Sequence, residues 1–353
     1  MTALLQILAR QIALDGPMSV ADYMMTCLLH PEHGYYTTRD PLGADGDFTT
    51  APEISQMFGE LIGLSLAQAW LDQGSPAPFA LVELGPGRGT LMADILRATQ
   101  KVPEFHGALA VHFVEASPVL RAEQATRVPD AVWHDTFNSL PDMPLFVIAN
   151  EFLDALPVRQ FIRAGDGWAE RRIGLDRDQL RFGLAAPSPM PELTHRLDDT
   201  KDGDLIEYCP ALRQTVSDLG GRIARDGGAA ILIDYGDWAS QGDTLQALRA
   251  HAHTDPLADP GQADLTAHVD FAEIARAVPQ GVRYSRVTGQ GVFLERLGIT
   301  ARAQQLAAGL TGATLDDLIA AHRRLTHPDE MGRLFKVIGL YPAEHTPPAG
   351  LEP

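Results

Sequence analysis

Residues 80–98, ALVELGPGRGTLMADILRA, constrain the fold more than any other stretch of the chain. An apolar run ends in an acid, three glycines alternate with other residues, and a helical pattern begins at once. Alternating glycines open backbone conformations closed to other residues and let a ligand approach the main chain. A strand that feeds a helix through such a turn starts a βαβ unit, which calls for a parallel sheet covered by helices. Further strand candidates at 109–115, 131–133, 144–150 and 229–235 are separated by mostly helical stretches and extend the pattern. Two later runs, 282–287 and 334–340, suit strands at the sheet edge, with a helical stretch at 290–327 between them. The rhythm breaks at 158–184, where apolar and polar residues alternate between turns as in a small antiparallel insertion.

Ahead of the sheet, Leu4, Leu5, Leu8 and Ile12 recur at helical spacing. Ser19 caps a second helix that stops before Pro31, and residues 56–74 form a third. Residues 32–55 between them are rich in Gly, Asp and Thr and have no period. A loop of that length is uncommon in a compact chain unless it has a function. The terminal PAEHTPPAGLEP is expected to be disordered.

Charge narrows the partners. With 28 basic and 46 acidic residues the net charge is −18, a field that repels phosphate backbones and favours a cationic substrate. Nucleic acid is therefore not an expected partner. Cys27 and Cys209 make neither a disulfide framework nor a Cys-rich zinc site, as in a reducing compartment. No apolar run nears the ~20 residues of a membrane span, and the first helix is amphipathic, so a cytoplasmic protein is expected. His30/His33 and His251/His253 lack acidic or Cys partners at ligand spacing, and no metal site is expected.

Three ligands compete for the glycine loop. A P-loop needs Lys and Ser/Thr after its last glycine, and here Thr90 and Leu91 follow Gly89. The dinucleotide fingerprint G-x-G-x-x-G meets Thr90 at its sixth position. S-adenosylmethionine fits better, because an acid precedes the loop. Glu83 suits its amino group, and Gly85, Pro86, Gly87 and Gly89 leave room for its methionine portion. Glu115, followed by Ala116 and Ser117, ends the next strand and can accept both ribose hydroxyls. Asp135, followed by Thr136, suits the adenine amino group. The three acids follow successive strands at the edge where open α/β sheets bind ligands.

Beyond this loop, the chain resembles the MidA-like family of class I S-adenosylmethionine-dependent methyltransferases. The matching stretches are PEHGYYTTRDPLGADGDFTTAPEISQMFGE (31–60), LVELGPGRGTL (81–91), ANEFLDALPVRQF (149–161), LIDYG (232–236) and DLTAHVDF (264–271). The resemblance implies an α/β, Rossmann-like, seven-stranded mostly parallel sheet with a helical N-terminal cap and insertions. The cap would be 1–75, with an active-site loop at 32–55. The methyltransferase core would be 76–353, carrying an antiparallel insertion at 158–208 and a helical one at 290–330. The resemblance also implies protein arginine methylation tied to assembly of respiratory complex I and a complex I subunit as protein partner; with no transit-peptide pattern in the first helix, a bacterial member is expected. A non-catalytic donor-binding assembly factor and a nucleotide-dependent oxidoreductase are the alternatives.

An arginine acceptor arrives protonated, so it needs carboxylates to grip the guanidinium and a route for the departing proton. Asn150, Glu151 and Asp154 follow the fourth strand at the cofactor edge. Glu151 and Asp154 are expected to orient the guanidinium, with Asn150 near the transferred methyl; plain helix capping is the structural alternative. The loop containing Asp47, Thr50 and Glu53 is expected to fold over the donor, with Thr50 and Glu53 in contact and Asp47 towards the substrate. Tyr35 and Tyr36 are expected at the acceptor opening, Asp234 and Tyr235 along the substrate groove. In DLTAHVDF, His268 is a candidate proton acceptor and Asp270 a substrate contact.

Overall fold

The computed structural model describes residues 2–38 and 49–353. Its centre is a sheet whose main path runs through seven strands: β1 (Phe79–Leu84), β2 (Leu109–Val114), β3 (Val132–His134), β4 (Leu145–Asn150), β5 (Gly228–Asp237), β6 (Val282–Tyr284) and β7 (Phe335–Pro342). Their order across the sheet is β6-β7-β5-β4-β1-β2-β3. β7 runs antiparallel to both neighbours and the β5-β4-β1-β2-β3 pairs are parallel. Every residue of β1 and β4 is buried, which is why central strands read as continuous apolar runs rather than alternating ones. Two-residue segments, Val269–Asp270 and Thr288–Gly289, pair with β5 and β7, so the sheet counts nine strands where seven were expected.

Helices cover both faces. Gln56–Asp72, Thr90–Thr99 and the 290–327 region bury one face, with Phe58, Ile62, Leu91, Ile95 and Phe293 in its core. Pro210–Asp226 and Phe271–Ala277 bury the other, with Leu219, Ile223 and Ile274. Gln56–Asp72 lies hard against Thr90–Thr99: a Cβ on Gly59 would come 2.6 Å from Asp94 Cβ, and one on Gly63 2.9 Å from Ile95 Cα. Those two glycines, one turn apart, fix the helix directly behind the glycine loop. The 290–327 stretch is three helices, Gln290–Arg296, Ile299–Ala307 and Ala313–Thr326.

A separate cluster lies above the strand ends. Leu4, Leu8, Tyr23 and Met24 of the first two helices share a core with Val158, Ile173 and Leu180 and with Leu245 and Leu265. Met18–Ser19 joins the antiparallel strands Arg159–Ala164, Gly167–Asp176, Gln179–Leu184 and Leu205–Tyr208 as a fifth strand, Met18 opposite Ile173. A small sheet of Gln246–Arg249, Ala252–Thr254 and Asp264–Thr266 completes this region. The C-terminal segment, expected to be disordered, is held: Ser65 Oγ donates to Ala349 O at 2.7 Å, and Leu351 is buried in the core. Among the described residues, no helix is long and apolar enough to cross a membrane.

Candidate active site

A cavity of about 790 Å³ opens at the C-terminal ends of β1, β2, β4 and β5. Its floor is the glycine loop. Gly85, Gly87 and Gly89 all have left-handed backbones, with φ of 64°, 52° and 81°. A Cβ on Gly85 would stand 2.8 Å from the Phe152 ring. Gly89 N–H donates to Pro86 O at 2.7 Å, closing the turn. Gln124, fully buried, donates from Nε2 to Gly87 O at 2.8 Å and to Glu115 Oε2 at 3.1 Å, and its Oε1 accepts from Trp133 Nε1 at 2.8 Å. One amide thus ties the loop to the end of β2.

Glu83 is 3% exposed, and its Oε2 has no hydrogen-bond partner among the described residues. Burial pushes its carboxyl up to about 8; the Met92 N–H opposes this and the Glu115 charge adds to it. A cationic amino group placed there would restore the charged form, so the residue fits the ammonium end of a methionine-like ligand. Glu115 is also raised by burial, opposed by the Ser117 N–H and Gln124. Its Oε1 accepts from Ser117 N at 2.7 Å, leaving lone pairs on both oxygens for a diol. Ala116, Ser117 and Thr136 line the same wall. Asp135 stands at the exposed rim, paired to Arg121 at 2.6 Å.

At the end of β4 the chain turns sharply. Glu151 has a left-handed φ of 51°, a strained conformation for a side-chain-bearing residue and one that concentrates at functional sites. Its Oε1 accepts from Ala51 N and from Asn150 Nδ2, both at 3.1 Å. Burial, reinforced by Asp154 and opposed chiefly by the Ala51 N–H, raises its carboxyl to about 7. Asn150 Oδ1 is buried without a partner among the described residues. Asp154 is buried and raised, with the Tyr235 phenol opposing the rise. His268 lines the cavity with its ring edge-on to Tyr235 at 5.3 Å, and burial, with Lys336, lowers its pKa. Thr50 and Glu53 form the remaining side; Glu53 Oε1 accepts from Thr90 Oγ1 at 2.5 Å. Tyr36 and Tyr235 also line the cavity.

Four expected contacts lie elsewhere. Tyr35 is fully buried beside Tyr36 and lines no part of the cavity, because its ring fills the upper core. Asp234 is buried behind the site: Oδ2 accepts from Leu153 N at 2.9 Å and Asp154 N at 3.2 Å, and Oδ1 from Tyr235 N at 2.9 Å. It shapes the 151–154 turn instead of bordering the groove. Asp270 caps Phe271–Ala277 through Ala272 N at 2.9 Å and pairs with Arg196. Gly89 closes the turn without lining the cavity. Asp47 lies outside the described residues. Sequence reasoning missed Phe152, Gln124 and the apolar wall of Met25, Leu28 and Leu29. Gln124 carried one readable signal, a polar residue one turn after Leu120 on the buried face of its helix. Among the described residues, no three His, Cys, Asp or Glu side chains are grouped as metal ligands.

A glycine loop after an acid-ended β1, in a sheet with an antiparallel seventh strand inserted beside the fifth, defines a class I S-adenosylmethionine-dependent methyltransferase. Residues 61–288 match a family described as S-adenosyl-L-methionine-dependent methyltransferases. The mitochondrial protein arginine methyltransferase NDUFAF7 of Xenopus laevis is 37% identical over 96% of this chain and 84% of its own length. Its human counterpart is 36% identical over 97% and 84%. A COG1565 superfamily member from Burkholderia thailandensis, solved with S-adenosyl-homocysteine bound, has a TM-score of 0.82 at 29% identity, covering 96% of this chain and 92% of that one. The chain belongs to the MidA-like family of these methyltransferases, and S-adenosylmethionine is its methyl donor.

Proposed function

We propose that the protein methylates a guanidinium nitrogen of an arginine in a subunit of respiratory complex I and thereby supports assembly of that complex in a bacterial cytoplasm. The observation that carries the arginine reading is the pair of carboxylates, half-buried Glu151 and buried Asp154, in one cavity with Glu83 and Asn150. The name of the relatives, protein arginine methyltransferase, supports the same acceptor; the complex I subunit rests on the family resemblance, and the compartment on the two isolated cysteines and the amphipathic first helix.

The donor supplies a methyl group already activated by the positive charge on its sulfur. The protein's task is to orient the acceptor and exclude water. Glu151 and Asp154, once ionised, grip the guanidinium by charge-assisted hydrogen bonds. The Ala51 and Asn150 donors hold Glu151 Oε1, so its orientation is set before the acceptor arrives. His268, kept neutral by burial, takes the departing proton at a ring nitrogen.

The test is to incubate the protein with methyl-labelled donor and the complex I peripheral arm from a strain lacking it. Hydrolysis of the product should yield methylarginine; label on another residue, or none, overturns the reading. Glu151→Gln should retain S-adenosyl-homocysteine binding and lose about 10²-fold in transfer. For the wild type, kcat/KM should fall as pH drops below about 7, because the protonated carboxyl cannot grip a cation. That limb should be absent in Glu151→Gln.

A further inference from the structure

The cavity contains a cation to which this reaction scheme gives no task. Arg324, in the last turn of helix Ala313–Thr326, lines the cavity together with Glu151 and Asp154. That helix packs on Ala51–Ile54, the segment whose Ala51 N–H reaches Glu151 Oε1 at 3.1 Å. The Arg324 charge favours the ionised form of Glu151, while Asp154 and, behind the site, Asp234 oppose it.

The Arg324 side chain is held loosely. Its Nη1 stands 3.7 Å from Glu330 Oε2, while Glu330 Oε1 accepts from Arg323 Nε at 2.9 Å. The side chain is 55% exposed, and Glu330 lines the cavity too. The turn that brings Glu330 back to the helix needs Gly332, where a Cβ would come 2.0 Å from Thr326 O. One guanidinium thus acts on two acids, Glu330 beside the helix end and Glu151 at the end of β4. A cation in a last helical turn is favoured by the helix dipole alone, but the dipole gives no reason for the side chain to line this cavity. The carboxylates do. Glu151, Asp154 and Asp234 are like charges close together, an arrangement that a neighbouring cation offsets. An acceptor arginine brings a second guanidinium to Glu151, and the two cations repel each other. Exposed ion pairs contribute little to stability, so the first guanidinium moves aside readily.

We propose that Arg324 is a positioning residue, the resident counter-ion of Glu151, which holds the place of the acceptor guanidinium and swings towards Glu330 as that group enters. The proposal rests on the arginine reading above. It makes acceptor binding an exchange of one guanidinium for another at the same carboxylate. Arg324 then sets how tightly a cationic acceptor is held and leaves donor affinity to Glu83 and Glu115.

The experiment uses the full chain, labelled donor and the complex I peripheral arm from a strain lacking the protein, with kcat/KM followed across pH. One charge acts with opposite sign on the Glu151 carboxylate and on the incoming cation. In Arg324→Met the limb assigned to Glu151 should therefore move up by about half a pH unit. The plateau above it should rise about threefold through a lower KM, with kcat unchanged. On the acid side the two effects cancel, and the profile should meet that of the wild type. S-adenosyl-homocysteine affinity should stay within about twofold and Tm within about 2 °C of wild type. Arg324→Lys, which keeps the charge, should return the wild-type profile. A limb and plateau both unmoved in Arg324→Met overturn the proposal alone. So does a fall in kcat/KM by one factor at every pH, which marks a structural role. Absence of methylarginine with the wild-type protein overturns the arginine reading, and this proposal with it.

Discussion

Three residues in this site show how a single side chain is set by its surroundings. Glu83, Glu115 and Glu151 are all acids at strand ends, yet their partners differ. Glu83 keeps an unpartnered oxygen among the described residues, Glu115 has an N–H on each oxygen, and Glu151 has two donors on one oxygen. We propose that Glu115 accepts both ribose hydroxyls, so that Glu115→Ala removes two charge-assisted bonds. It should weaken S-adenosyl-homocysteine binding by about 2 kcal/mol, roughly thirtyfold, as read by calorimetry. Gly87→Val puts a β-branched residue at a φ of 52° and a side chain at the cavity floor. Donor affinity should fall by at least about 10²-fold while the far-ultraviolet dichroism stays that of the wild type; normal binding would show that the loop does not cradle the donor. The acids were legible in the sequence because each follows an apolar run directly. Asp234 was legible as an acid but not by role: its three backbone donors come from residues 153–154 and 235, a proximity that exists only once β4 and β5 pair.

Between elements, the segment Ala51–Ile54 does the joining. Glu53 takes the Thr90 hydroxyl at the start of helix Thr90–Thr99, and the Ala51 N–H reaches Glu151 at the end of β4. This gives a physical reason for Thr90 where a dinucleotide loop carries glycine: its hydroxyl holds the segment that holds Glu151. Thr90→Val removes that bond with little change in volume. Transfer should fall about tenfold in kcat, with stability within about 1 kcal/mol of wild type and donor affinity nearly unchanged. An unchanged kcat would show that Glu151 is oriented without this segment. The central strands were readable as apolar runs and the long helices from their period, whereas the small sheet of Gln246–Arg249, Ala252–Thr254 and Asp264–Thr266 and the close approach of Gln56–Asp72 to Thr90–Thr99 were not. Gly59 and Gly63 look like weak points in a helix until the facing backbone is known. The C-terminal segment misled for a related reason: it is rich in Pro and Gly, yet Leu351 and the Ala349 carbonyl find partners on elements remote in sequence.

At the scale of the whole molecule, the site places a charge problem inside the fold. Burial raises Glu83 to about 8 and Glu151 to about 7, and Asp154 is raised too. In the unfolded chain such carboxyls titrate near about 4. Between these limits the folded protein binds more protons than the unfolded one, so its stability falls as pH rises. From pH 6 to pH 8.5, Glu83 alone should remove roughly 2–3 kcal/mol, at about 1.36 kcal/mol per pKa unit, lowering the Tm of the ligand-free protein by a few degrees. Net charge of −18 adds repulsion over the same range, but nearly equally in wild type and variants. The informative quantity is therefore the difference in slope. Glu83→Gln, which keeps the shape and cannot ionise, should show a shallower fall of Tm with pH. S-adenosyl-homocysteine at a hundred times its Kd should add about 2.7 kcal/mol to the wild type and flatten its pH slope, because the ligand's ammonium stabilises the charged form of Glu83. Parallel slopes for wild type and Glu83→Gln would show that Glu83 does not titrate in this window.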